Sequence, residues 1–408
     1  MKQDVVQQTD DERTASSEIP TSESRVKAVR AGFAQGGVEQ GGVEQGGVEP
    51  VDVAPGGAWL GSAELAAARG GPPFTAHLDG SAVLVFSGAD ARGFLHGQLA
   101  NEVSALPVAG CGRSLLLNHK GHAIAEATVL RTATSLLCVV DDDKLAWVKD
   151  TLERHIVFDD VKVSQPTATV LTLQGARSAE VLAAAGLQAP AGDGYAESPA
   201  ALEGWTVLAY PNRRSEAGGF DLVILAGTAE ARGAAPLGAG DLAAALLTRL
   251  ARAGAVEVGL AELAVARVAA GIATAGGEGG DGVLPQESGL TSLISYRKGC
   301  YLGQEIMARI EARGNLRREL ATIQLSGVPV MPVAAAGTGA ADAKARSGQR
   351  AITAGGKTVG LLGTAARLPD GSVRALCVLR RDIGAEIELS VGGEVGRRLT
   401  MSAPIMPL

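Results

Sequence analysis

The chain has 408 residues, 46% of them hydrophobic, which is enough length for two or three domains and enough apolar material for buried cores. A formal net charge of −7 and an aromatic content of 3% argue against attraction to nucleic acid by bulk electrostatics or by stacking platforms, and no direct nucleic-acid partner is expected. The four cysteines, Cys111, Cys138, Cys300 and Cys377, form no CxxC pair and no Cys/His cluster at ligand spacing, so no metal site is expected of this chain alone. No apolar run has the length of a membrane span, and the opening MKQDVVQQTDDERTASSEIP is too polar for a secretory signal. So few thiols suit a reducing compartment, and the cytoplasm is the expected location.

Residues 1–57 are polar and glycine-rich and carry a pentapeptide repeat, GGVEQGGVEQGGVEP, at 36–50. Such a composition buries too little apolar surface to offset its ordering entropy, which predicts a disordered tail. Order is expected to begin between Trp59 and Ala76. SAVLVFSG, from Ser81, predicts a buried strand ending at a Gly turn. ADARGFLHGQLANEVSAL, with apolar Phe94, Leu95, Leu99 and Val103 at helical spacing, predicts a helix. RSLLLNHKGHAIAEATVLRT predicts a hairpin turning through Asn118 to Gly121, SLLCVV a further strand, and KLAWVKDTLERHI a helix capped by Asp141 to Asp143. The plan of strand, Gly turn and helix returns in VKVSQPTATVLTLQGARSAEVLAAAGL, followed by short strands in WTVLAYPN and GGFDLVIL and a helix in GDLAAALLTRLARAG.

Antiparallel-looking strands alternating with single helices predict an α+β fold, and no GxGxxG follows a strand to suggest a dinucleotide site. A Pro/Gly/Ala-rich stretch at 328–350 predicts a boundary, with short strands beyond it that read as a small all-β barrel or sandwich. The predicted organisation is a tail over 1–57, two α+β modules over 58–325 meeting near 165, and a C-terminal barrel over 326–408.

SYRKGCYLGQEIMAR, at 295–309, carries the chemistry-bearing residues. It predicts a loop, a Gly-bounded turn and a helix beginning near Gln304, with Gly299 and Gly303 free to take positive φ on either side of Cys300. The helix N-terminus and Lys298 would both favour the Cys300 thiolate. On spacing alone, the alternative is that Cys300 is a small buried apolar residue. Lys298 and Arg309 are candidates to steer an anionic ligand, and Arg267, polar in the apolar run LAVARVAAGI, to line a channel. Cys111, Cys138 and Cys377 lie in or beside apolar strands and read as core. His96, His119 and His122 read as surface or satisfied histidines.

KGCYLGQE matches the KGC(Y/F)xGQE signature of the YgfZ family, folate-binding relatives of the glycine-cleavage T-protein. RVAAGI (267–272), LPQE (284–287), FLHGQLANEV (94–103) and NHKGH (118–122) are similar to further elements of that family, and the likeness runs from Ser81 to Pro407. The resemblance implies a T-protein-like α+β fold, with folate-binding modules around a central channel and a C-terminal β-barrel. It implies tetrahydrofolate in the channel and an accessory role in assembly or repair of iron–sulfur clusters. Its partners would be client enzymes, tRNA-modifying ones included, or assembly proteins. By resemblance Cys300 is the reactive residue, and Lys298, Tyr301, Gln304, Glu305, Arg267, Glu287, Asn118 and Lys120 are the folate-site candidates.

Two departures bear on activity. The relatives' ILDD element stands here as AIAE, with Ala125 at the first acidic position, leaving Glu126. The glutamate of RxEAG stands as Ala269. Glycine cleavage is therefore not expected, because general acid/base work needs a carboxylate within hydrogen-bond reach. An accessory factor is favoured over a tetrahydrofolate-dependent aminomethyltransferase-like C1 transferase and over a non-catalytic folate-sensing module.

Overall fold

The computed structural model describes residues 71–202, 205–225, 238–280, 282–314, 316–327, 351–368 and 370–399. The glycine-rich segment with its repeat, and the 328–350 boundary, lie outside the described residues. The first half contains β1 (Phe74–His77), β2 (Ser81–Ser87), α1 (Ala91–Gln98), β3 (Cys111–Leu117), β4 (Ala123–Arg131), β5 (Ser135–Asp141), α2 (Asp142–His155) and β6 (Lys162–Ser164). Strands β2 to β6 form an antiparallel sheet in the order β3-β4-β5-β2-β6. A second sheet adds β7 (Ala168–Gln174), β8 (Ala196–Leu202), β9 (Trp205–Pro211), β10 (Gly219–Leu225) and β11 (Val256–Glu257) to β1, in the order β11-β1-β7-β10-β9-β8.

Both sheets are apolar on both faces, which explains their runs of consecutive hydrophobic residues. One face of the first sheet, with Leu84, Phe86, Val129 and Cys138, packs under α1 and α2 through Phe94, Leu95, Val148 and Leu152. The corresponding face of the second, with Leu171, Leu173, Leu222 and Ile224, packs against α3 (Ser178–Ala184) and α4 (Ala239–Arg252). The two remaining faces meet each other, joining Val83, Leu130, Leu137 and Val139 to Ala76, Val170, Leu208 and Val223. The result is a four-layer stack in which strand β1 belongs to the second sheet although it precedes the first.

Helix α5 (Leu260–Ala269) starts at Gly259, whose N–H is held by the Glu262 carboxylate at 3.0 Å. Helix α6 (Gln304–Arg313) is bounded by two left-handed glycines, Gly303 at φ 83° and Gly314 at φ 61°. Beyond it, β12 (Arg318–Leu325), β13 (Ala351–Ala354), β14 (Lys357–Arg367), β15 (Val373–Arg380), β16 (Leu389–Val391) and β17 (Glu394–Arg398) form a closed barrel in the order β12-β15-β14-β13-β16-β17. Its interior holds Ile323, Ile352, Leu362, Ala375, Cys377 and Leu389. The fold is thus α+β, with a closed C-terminal barrel that leaves no free sheet edge there. Among the described residues no helix is long and apolar enough to cross a membrane.

One expected element is shorter than its periodicity predicts. The pattern Phe94, Leu95, Leu99, Val103 suggests a helix through Val103, yet α1 stops at Gln98 and Leu99 is extended, bridging Leu116. The helix ends where the Lys298 ammonium takes the carbonyls of His96, Leu99 (2.6 Å) and Asn101 (3.1 Å). Leu99 and Val103 are still buried, so apolar spacing persisted while the backbone changed.

Candidate functional site

Cys300 is the exposed one of the four cysteines; Cys138 and Cys377 are buried and Cys111 half-buried. Burial pushes the thiols of Cys111, Cys138 and Cys377 up to about 12, so they stay protonated at neutral pH. The turn bearing Cys300 is tied down on both sides. Before it, Lys298 is buried and its ammonium caps the end of α1, so it is not free to steer a ligand as its sequence position suggested. Burial lowers the Lys298 ammonium to about 8, and the negative charge of Glu102 acts in the opposite direction. The same ammonium lies 5.2 Å from the centre of the Tyr301 ring, whose hydroxyl is buried without a partner among the described residues.

After the cysteine, Gly303 takes the positive φ that the spacing suggested, and a Cβ there would lie 2.7 Å from the Asn118 carbonyl oxygen. Gly299 does not: its φ is outside the left-handed region and a Cβ would meet nothing within 4 Å. The Gln304 amide donates to the Lys298 carbonyl at 3.4 Å and closes the turn. Glu305 and Arg309 form an exposed i,i+4 pair at 2.5 Å on α6. The Asn118 carboxamide oxygen accepts the N–H groups of Lys120 (2.9 Å) and His122 (3.1 Å), which makes Asn118 the keystone of its turn and leaves the Lys120 side chain exposed. Gly121 in that turn lies against Met307 and Ile306 of α6. The NHKGH and KGCYLGQE segments, far apart in sequence, are therefore one contact.

A separate cleft opens where the two facing sheets change from apolar to polar. Ser81, Arg113, Glu126, Thr128, Tyr210, Asn212, Arg213, Arg214, Arg267 and Thr274 are among its lining residues. The cleft is small and open to solvent, with about 60 Å³ available to the centres of water molecules. Of the residues expected from sequence, Arg267 reaches it. Its guanidinium pairs with the fully buried Glu278 (2.8 Å), donates to the Ile272 carbonyl (2.6 Å) and touches Thr364 of β14. Glu278 also accepts the Thr364 N–H at 3.0 Å, so this ion pair joins the barrel to the cleft wall. Glu287 pairs with Arg318 of β12 at 2.6 Å and is a tie between the LPQE turn and the barrel.

The two departures acquire positions. Ala125 faces the core beneath α1 and α2, whereas Glu126 on the opposite face of β4 lines the cleft. Both Glu126 oxygens are engaged, one by Arg113 at 2.7 Å and the other by the Ala275 N–H at 2.7 Å. Ala269 is exposed on α5 and does not line the cleft. Sequence reasoning missed Arg113 and the group Asn212, Arg213 and Arg214. The available signal was three consecutive strongly polar residues, NRR, directly after the apolar strand WTVLAYP. Arg214 pairs with the fully buried Asp221 at 2.7 Å, and Asn212 donates its amide to the same carboxylate at 2.7 Å.

A family model described as GCVT N-terminal domain matches residues 79–193. The tRNA-modifying protein YgfZ of Yersinia enterocolitica is 24% identical over 330 residues, covering 79% of this chain and 89% of the relative. Its namesake in Edwardsiella ictaluri is 36% identical over 124 residues, 30% of this chain and 34% of the relative. Among solved structures, glycine cleavage system aminomethyltransferase T from Bartonella henselae superposes with a TM-score of 0.64 at 18% identity, over 85% of this chain and 90% of that one, a likeness of fold.

Proposed function

The chain belongs to the YgfZ family of glycine-cleavage T-protein-like proteins, and from that premise we propose that it is a folate-binding accessory factor for assembly or repair of iron–sulfur clusters in client enzymes. Those clients include tRNA-modifying enzymes, and the setting is the cytoplasm. The observation that carries the reading is the exposure of Cys300 on a turn held by Lys298 and Gly303. An exposed thiol on a rigid turn can reach a partner's thiol or iron without the chain rearranging. Among the described residues no group of three or more His, Cys, Asp or Glu is arranged to hold a metal ion. A cluster touched by Cys300 would take its other ligands from the partner.

The cleft fits a folate headgroup in chemistry. Two of its lining residues, Asn212 and Arg213, carry buried polar atoms with no partner among the described residues, as a site with an absent polar ligand would. Tetrahydrofolate, when bound, supplies a carrier of one-carbon units. Arg267 and Glu278 would hold the wall against it, Asn212 and Arg213 would contact it, and the signature turn would lie outside the cleft lining.

A second reading, aminomethyl-type C1 transfer, is favoured by the presence of Glu126 in the cleft. It ranks lower because both carboxylate oxygens already have partners, leaving none aimed at a substrate amine. The deciding experiment is rescue in a host lacking its own YgfZ-type protein, scored by the activity of an iron–sulfur tRNA-modifying enzyme. Wild type should restore that activity and Cys300→Ala should not. Equal rescue by both refutes the thiol's role and advances the folate-sensing module.

A further inference from the structure

The two orphan atoms of the cleft are of opposite kind and sit on adjacent residues. Asn212 is 8% exposed, and its amide orientation is decided, because the Nδ2 group donates to the Asp221 carboxylate, which can only accept. The Asn212 Oδ1 is therefore a buried acceptor with nothing to accept. Arg213 donates its Nε–H to the Ser215 carbonyl at 3.3 Å, while its Nη2 is a buried donor with nothing to donate to. Three other arginines of the lining have carboxylate partners: Arg113 with Glu126, Arg214 with Asp221 and Arg267 with Glu278. Among the described residues Arg213 makes no ion pair, so the positive charge left over in the cleft lining belongs to the residue next in sequence to the unused acceptor.

A buried donor or acceptor left without a partner is costly, and a pair of them in one cleft describes a complementary ligand edge. That edge must present an acceptor to the cationic Arg213 and an N–H to Asn212. A cyclic lactam, with C=O beside N–H, has this arrangement, and the 4-oxo, N3–H edge of a pterin is one. Resting on the folate reading above, we infer that Asn212 and Arg213 read the lactam edge of the pterin. They do so in a chain whose expected reader, the glutamate of RxEAG, is replaced by the exposed Ala269. This pair makes the cleft selective for 4-oxo over 4-amino pteridines. A 4-amino ring turns the acceptor into a donor facing Arg213 and leaves an N3 lone pair facing Asn212 Oδ1, so both contacts become repulsive.

Calorimetric titration of the full chain with tetrahydrofolate and with its 4-amino-4-deoxy analogue, both kept reduced, tests this directly on unmodified protein. Wild type should bind the 4-oxo compound at least about 30-fold more tightly, the size expected when two polar contacts are mismatched. Arg213→Met keeps the aliphatic stem and removes the donor; the preference should fall to within about threefold, mainly by weaker binding of the 4-oxo compound. Asn212→Ser provides an independent variant and should also reduce the preference. Equal affinity of wild type for both compounds, or an Arg213→Met preference as large as that of wild type, overturns the edge readout and leaves folate binding standing. No binding of tetrahydrofolate to wild type overturns the folate reading, and this inference with it.

Discussion

Replacing Lys298 by Met removes the ammonium that ties the signature turn to the end of α1 while keeping most of the buried stem. Its head group donates to the carbonyls of His96, Leu99 and Asn101, and in its absence these acceptors lose their common donor. A hydrogen bond from a charged donor contributes about 1.5–3 kcal/mol, and an acceptor stranded out of water costs about 1–3 kcal/mol. The contact with the Tyr301 ring adds about 0.5–1 kcal/mol. Dehydration of the ammonium opposes these gains, as its lowered pKa shows, so the net loss should be about 3 kcal/mol rather than the full sum. Urea unfolding followed by circular dichroism measures this, and the alkylation rate of Cys300 in native protein reports the loosened turn by rising.

The pH dependence gives an independent sign. With a folded value near 8 against an ordinary 10.5, the unfolded chain binds more protons between those limits. Wild type therefore gains stability as pH rises through that window, and Lys298→Met lacks this gain. The difference in Tm between the two should widen from about pH 7 to pH 10. A destabilisation below about 0.5 kcal/mol with unchanged alkylation would refute the view that Lys298 anchors the turn.

Thiol counting on the native protein at neutral pH should find fast reaction at Cys300 and slow reaction at Cys111, Cys138 and Cys377, all released by denaturant; a second fast thiol would contradict the burial described. Gly303→Ala should cost about 1–3 kcal/mol, since Ala must adopt φ 83° and its Cβ would press on the Asn118 carbonyl at 2.7 Å; an unchanged urea midpoint would disprove the contact. Glu278→Ala leaves the Arg267 guanidinium buried without its carboxylate and should cost about 3–5 kcal/mol in urea unfolding, whereas Arg309→Ala, at an exposed helix pair, should stay within about 0.5 kcal/mol. Comparable losses from these two variants would refute the distinction between them.

The sequence by itself determined the features that local physics controls. The hairpin around Asn118 to Gly121, strands β2 to β5, β7, β9 and β10, the Gly-bounded start of α6 and the β character of the C-terminal region follow from apolar runs and turn residues, whereas β1, β8 and β11 are not read from the sequence. The glycine-bounded setting draws attention to Cys300, but its spacing leaves open a buried packing role, and only the tertiary structure shows that the residue is exposed. Tertiary structure decided what depends on distant partners. It ended α1 at Gln98 despite continuing periodicity, because Lys298, about 200 residues away in sequence, captures the helix-end carbonyls. Alternation along AIAE shows that Ala125 and Glu126 face opposite ways, but only packing against α1 and α2 says which face is core. The cleft lies beyond any local signal, since Arg113, Glu126, Asn212, Arg213 and Arg267 come from separate elements that meet only where the two sheets stack. Hydrophobic periodicity records which residues leave water, and it carries no record of which buried surfaces find one another.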